Sequence, residues 1–423
     1  MTTAANARAE ARSRLQRRTV IVLVVMQIVG TVGVGVAPSI GILLAGEITQ
    51  NEAWAGLART ASTLGAALTG VPLGALAARR GRRFALASGW WAAAVGSALL
   101  VVAAQRSLVL PLFVGLFLMG AGLAVSLQAR FAATDLAESH RHGRSLALIV
   151  WVGTIGSVLG PNLAVPGRLI TAATGLTLYA SAFLIATVCM TAAGTVVFAL
   201  LRPDPLREAQ RDVAVAATGP RGRGAIARML AELRINPGAR YAVLAIVSAQ
   251  IVMVSIMTMT PVHLTHQGGS VEIVGMTLSL HIVGMYAFSP VVGQLTDRLG
   301  HRATIIIGLL VFLASLVIGA VRPDDTGWII ASLILLGLGW SFVNVSGSAL
   351  FSSVVSDDTR AAAQGGVDAL SNLCGATTAF IAGPLLAASS FPALSTLAIA
   401  ALVPLAVLVL ARKPRPAQPG EAG

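Results

Sequence analysis

Charge is scarce in this chain. Asp, Glu, Lys and Arg make up only 11% of its 423 residues, against a hydrophobic content of 56% and a mean hydropathy of +0.81. An ordinary soluble domain carries about a quarter charged residues, so composition excludes that class and places the chain in a bilayer. Cysteine is scarcer still. Cys189 and Cys374 both fall in apolar segments, which supports no disulfide framework and leaves the redox compartment open. No nucleophile with a base, no phosphate-cradling loop and no closed zinc pattern is visible, so an enzyme is not expected and no cofactor is assigned. A cleavable leader is missing too: the basic start runs into a long apolar stretch without a small-residue cleavage site, and reads as a first span. Acidic residues number 17 against 30 basic ones, and nearly all of the latter are Arg, set in short runs between apolar segments. Such runs are topology determinants rather than a nucleic-acid footprint, so the expected surroundings are lipid and no nucleic acid.

What the chain has in quantity is apolar runs. A hydrocarbon core of roughly 30 Å needs about 20 apolar residues per helix. Twelve stretches qualify, at 19–45, 54–78, 84–104, 108–129, 145–165, 175–201, 241–263, 273–295, 303–321, 328–350, 363–387 and 392–411. With the N-terminus inside, only Arg59, Arg106, Arg168 and Arg322 of the 30 cations fall in or near outer segments, a strong positive-inside bias. Trp54 and Trp328 then lie at outer ends, where amphipathic rings prefer to be. The expected organisation is a cytoplasmic tail (1–18), a six-helix bundle (19–201), a cytoplasmic linker (202–240), a second six-helix bundle (241–411) and a cytoplasmic tail (412–423), in a cytoplasmic (plasma) membrane. MLAEL in the linker suggests a short surface helix. A monomer is expected.

The halves repeat. GVPLGALAARRGRRFAL (70–86) follows the second run and SPVVGQLTDRLGHRATI (289–305) the eighth, so small residues, a tight Gly turn and an Arg cluster recur at equivalent places. Such duplication predicts two bundles around a central pathway. GQLTDRLGHR resembles the loop signature of the major facilitator superfamily, and ARFAATDLAESHRHGRS (129–145) resembles its loop between the fourth and fifth spans. The resemblance implies an all-α integral membrane fold of twelve transmembrane helices, with two six-helix bundles related by a pseudo-two-fold axis. It also implies a gating latch at Gly293, Asp297, Arg298, Gly300 and Arg302. In the first half Ala78 replaces the latch Asp. Drug–proton antiporters of the superfamily carry an Arg where Leu116 stands, four residues before Gly120. Their span-five motif is met by Gly156, Gly160 and Pro161 but not at Ala164 and Val165.

Ionisable residues within spans are functional candidates by default. Here they are Arg59, near the outer surface and able to snorkel; His281; and Asp368, which either pairs locally or relays protons as a coupling residue. Met253 and Met257 in the seventh span, and His281 and Met285 in the eighth, form two pairs spaced four residues apart, each on one helix face. At about 1.5 Å per residue, they lie roughly 9 to 18 Å below the outer end, at overlapping depths. Met259 points away and reads as packing. Thioether and imidazole suit copper, although Met is also a common filler of helix packing. The MxxxM and HxxxM patterns resemble those of the CcoA-type copper importers, a branch of the superfamily that supplies copper for cytochrome oxidase assembly. That resemblance implies copper uptake by alternating access, with Met253, Met257, His281 and Met285 as metal-binding residues. Gly284, Pro261 and Pro290 would permit bending nearby. The alternatives are a carrier of a small hydrophobic organic compound with the Met groups as an adaptable pocket, and a non-transporting membrane sensor or assembly factor.

Overall fold

In lipid, backbone N–H and C=O groups must be satisfied within the chain, so long apolar runs become helices. A computed structural model describes residues 2–51, 53–137, 142–212, 225–355 and 357–411, and those residues are helical almost throughout. Residues 213–224 of the linker and the 412–423 tail lie outside the described residues. The first bundle comprises α1 (Thr2–Val34), a π-helical turn (Ala37–Gly41), α2 (Ile42–Thr49), α3 (Ala53–Arg80), α4 (Arg82–Arg106), α5 (Val109–Ala132), α6 (His142–Leu159), a 3-10 turn (Gly160–Asn162), α7 (Ala164–Thr174) and α8 (Leu178–Leu200). Short helices α9 (Pro205–Asp212) and α10 (Ala225–Ile235) follow. The second bundle comprises α11 (Pro237–His266), α12 (Val271–Tyr286), α13 (Ser289–Leu299), α14 (His301–Val321), α15 (Thr326–Val354), α16 (Asp357–Ala388) and α17 (Phe391–Ala411).

Among the described residues, eleven helical stretches are long and apolar enough to cross a membrane. The twelfth is the α6–α7 pair, bent by 48°. The sequence suggests one unbroken span at 145–165; Gly160 and Pro161 instead form a 3-10 turn there, because Pro161 has no N–H to give to the α ladder. The first span is likewise interrupted, by the π-helical turn that contains Pro38.

The duplication is visible in local geometry. Gly81 and Gly300 start α4 and α14 at φ of 91° and 85°, a left-handed conformation that costs glycine little. Each bundle has its own apolar core. One runs from Val22 to Leu201 around Trp90 and Phe183, and the other is built chiefly from Tyr241 to Val409 around Phe312. Met229 of α10 is buried in a third, smaller cluster with Phe351 and Ala363, which ties the linker helix to the ends of α11, α15 and α16. Large exposed side chains such as Val71, Leu110 and Leu169 face outward, as lipid requires.

The end of the bundle carrying Arg79 to Arg83, Arg202, Arg298 and Arg302 is termed here the basic face, and the opposite end the far face. At the far face the two bundles touch closely. Gly56 of α3 lies against Ala379 and Gly383 of α16, so closely that a Cβ on Gly56 would overlap the Ala379 carbonyl, and Thr60 Oγ1 donates to Ala376 O at 3.1 Å. On the pseudo-symmetric side, Ser279 Oγ of α12 donates to Val158 O (2.6 Å) and accepts from Asn162 Nδ2 (2.6 Å), and Arg168 pairs with Glu272. Toward the basic face, the described residues share one polar contact between bundles, the ion pair of Arg130 with Asp368 at 3.4 Å.

Candidate functional site

The space between the bundles is the natural site of a carrier, and its lining follows from helix register. Met253 and Met257 on α11 and Met285 on α12 are 4%, 7% and 5% exposed and belong to the apolar core of the second bundle. Met259 is fully buried in the same core. His281 is fully buried, and its Nδ1 lies 2.7 Å from Leu333 O of α15. A carbonyl only accepts, so Nδ1 carries the proton and Nε2 presents its lone pair. That Nε2 has no hydrogen-bond partner among the described residues. Gly337 of α15 makes the contact possible, since a side chain there would press on the His281 carbonyl and ring. Three of the four expected ligands therefore share one core, while the imidazole is anchored to a third helix. No group of three or more His, Cys, Asp or Glu that could hold a metal occurs among the described residues.

Other polar groups pair within each bundle. Trp340 Nε1 donates to Gln250 Oε1 (3.2 Å), and the Trp340 ring meets Tyr286 edge-on at 5.6 Å. In the first bundle, Gln27 of α1 donates to Ser126 Oγ of α5 at 2.5 Å. Arg59 lies within electrostatic reach of His281 and Tyr286, both on the opposite bundle, and Tyr286 is also within reach of Arg130. Asp368, the candidate coupling residue, is an exposed carboxylate paired with Arg130 across the gap.

The residues expected to gate are placed differently from one another. Gly300 forms the turn, Asp297 and Arg298 are exposed with no side-chain hydrogen bond or ion pair among the described residues, and a Cβ on Gly293 would meet nothing within 4 Å. Arg302 Nε is buried without a partner among the described residues. The equivalent loop of the first bundle is more tightly held. Arg82 grips Asp135 with two bonds (2.8 and 3.1 Å), Arg83 N donates to Asp204 Oδ2, and Arg83 Nε donates to Phe198 O. Burial raises the Asp135 carboxyl above its ordinary 3.8, and Arg82 opposes the rise.

Sequence reasoning missed Arg130, Tyr286 and the Gln250–Trp340 pair, and read Arg59 as a candidate near the outer surface, able to snorkel. The signal for Arg59 was its position about one turn inside a run of small residues, AGLARTASTLG.

Two bundles of repeated topology, sealed at one end and bridged by one ion pair toward the other, define a secondary transporter of the alternating-access type. The profile of the Major Facilitator Superfamily matches residues 19–276 and 242–423, and the chain belongs to that family. It is 36% identical over 405 residues to the uncharacterized MFS-type transporter YdeG of Bacillus subtilis (strain 168), covering 95% of this chain and 94% of that protein. It is 29% identical over 406 residues to the riboflavin transporter RfnT of Brucella anthropi, covering 94% and 97% respectively. Its fold matches that of the nucleoside transporter NupG with a TM-score of 0.70 at 15% identity, over 94% of this chain and 98% of the other.

Proposed function

We propose that this transporter carries a small organic solute through the gap between its bundles, from a cytoplasmic membrane in which the basic face and both termini are cytoplasmic. The observation behind the choice of solute is a cluster of aromatic and polar groups. Arg59, Tyr286, Trp340 and Gln250 offer a guanidinium, an aromatic pair and an amide, which suits a ring-bearing polar molecule. The riboflavin carried by RfnT is one such molecule. The orientation rests on the arginine distribution, and the sealed far face makes this the inward-facing state. Reconstituted vesicles loaded with riboflavin or with a nucleoside test the reading: saturable counterflow supports it, and its absence for ring-bearing solutes removes it.

Copper uptake through Met253, Met257, His281 and Met285 is the second reading. The observation in its favour is the unpartnered, buried Nε2 of His281, whose other nitrogen is held by a carbonyl as in metal-binding imidazoles. Against it stands Arg59, a fixed positive charge within reach of the same imidazole, which repels a copper ion. Copper accumulation in cells carrying His281→Ala or Met257→Ala decides the matter: loss in both supports copper, and unchanged accumulation removes these residues from the site.

A further inference from the structure

Arginines inside a bilayer are costly, and those found there pair with another charge or with backbone carbonyls. Several arginines elsewhere in this fold do so, although Arg302 at the basic face leaves its Nε without a partner among the described residues. Arg82 holds Asp135, Arg83 donates to Phe198 O, Arg130 holds Asp368 and Arg168 holds Glu272. Arg59 does not. It is half-buried on α3, and its side chain makes no hydrogen bond or ion pair with any described residue. The carboxylate of Asp368, toward the basic face, is engaged by Arg130. Nor is Arg59 snorkelling into lipid. Gly56, one turn before it on the helix, is pressed against α16, and its charge is felt by Tyr286 and His281 on the other bundle. Five guanidinium donors therefore have no partner among the described residues. Beside them the Tyr286 hydroxyl has no hydrogen bond among the described residues, and its ring continues into Trp340.

We propose that Arg59, with the Tyr286 hydroxyl, is the anion-recognition point of the carrier, gripping the carboxylate of an aromatic organic acid whose ring lies against Tyr286 and Trp340. The inference rests on the organic-solute reading and narrows it. A guanidinium fork matches a carboxylate with two parallel hydrogen bonds, a geometry Lys does not reproduce. The incoming anion supplies the counter-charge that the protein omits, so Arg59 destabilises the empty carrier and is satisfied only when loaded.

The test uses the full-length protein in detergent and in proteoliposomes, with two matched pairs as probes: 4-hydroxybenzoate with 4-hydroxybenzamide, and indole-3-acetate with indole-3-acetamide. Each acid should raise the unfolding midpoint and cross the vesicle wall at least tenfold better than its amide. Arg59→Gln should abolish that preference, Arg59→Lys should keep part of it, and Tyr286→Phe should weaken it severalfold. Without any probe, Arg59→Gln should unfold roughly 2 °C higher than the natural protein, because an uncompensated charge has been removed. Amides handled as well as acids, with Arg59→Gln unchanged, would overturn the anion site and leave the organic-solute reading standing. If neither member of either pair binds or crosses, both readings fail. A fall in the midpoint of unloaded Arg59→Gln would make Arg59 a structural residue and also overturn the proposal.

Discussion

The two ends of this molecule are built on different principles. At the far face the bundles are joined by backbone proximity: Gly56 against Ala379, and Ser279 and Asn162 interlocked at the α6–α7 break. Toward the basic face the same bundles are joined, among the described residues, by one long-armed ion pair. Close packing of small residues is strong in lipid because dispersion contacts and short hydrogen bonds do not compete with water. An ion pair whose carboxylate partner is 59% exposed is weak. Sealing is therefore a matter of shape at one end and of charge at the other.

The largest test of that contrast is Gly56→Val. A branched side chain there overlaps the α16 backbone and prevents the far face from closing. Transport should fall about 100-fold, and spin labels on α3 and α16 should report a permanently wider far face; normal distances would show that the glycine contact is not the seal. Next in size is the loop of the first bundle. Asp135→Ala leaves Arg82 without its carboxylate and should cost about 2 kcal/mol, whereas Asp297→Ala, at the exposed equivalent loop, should change unfolding by less than about 0.5 kcal/mol. Equal losses would mean that the second loop is held by more than the contacts described. The Asp135 pair also has a pH signature. Because its carboxyl is raised above 3.8 in the fold, the native state holds the proton more tightly than the unfolded chain. Its contribution to stability is therefore present below that value and declines as pH rises through the raised one; Asp135→Asn should flatten that limb of the unfolding profile. The smallest effect is expected from Arg168→Ala. Its cation is 64% exposed and the pair with Glu272 is peripheral, so uptake should change by less than about twofold.

Most of the architecture was legible because a bilayer leaves the backbone few options. Hydrophobic runs had to become helices, arginines had to stay on one side, and the duplicated Gly turn marked the repeat. What was not legible depends on contacts between segments distant in sequence. The break at Gly160 was hidden inside an apolar run whose total length was sufficient. Arg59 was placed near the outer surface by its position early in its span, and the approach of the opposite bundle to it depends on residues more than two hundred positions away. The spacing of His281 and Met285 is right for one helix face, but the imidazole turns to Leu333 O because Gly337, more than fifty residues on, clears a place for it.

Separation of the bundles at the α6–α7 break has one further consequence. When α12 withdraws, the Val158 carbonyl loses the Ser279 hydroxyl, yet Asn162 Nδ2 already lies 3.1 Å from that same oxygen. Asn162 thus acts as an understudy: no backbone acceptor is stranded in hydrocarbon when the two halves part, and the joint can open and shut repeatedly with little penalty in either direction.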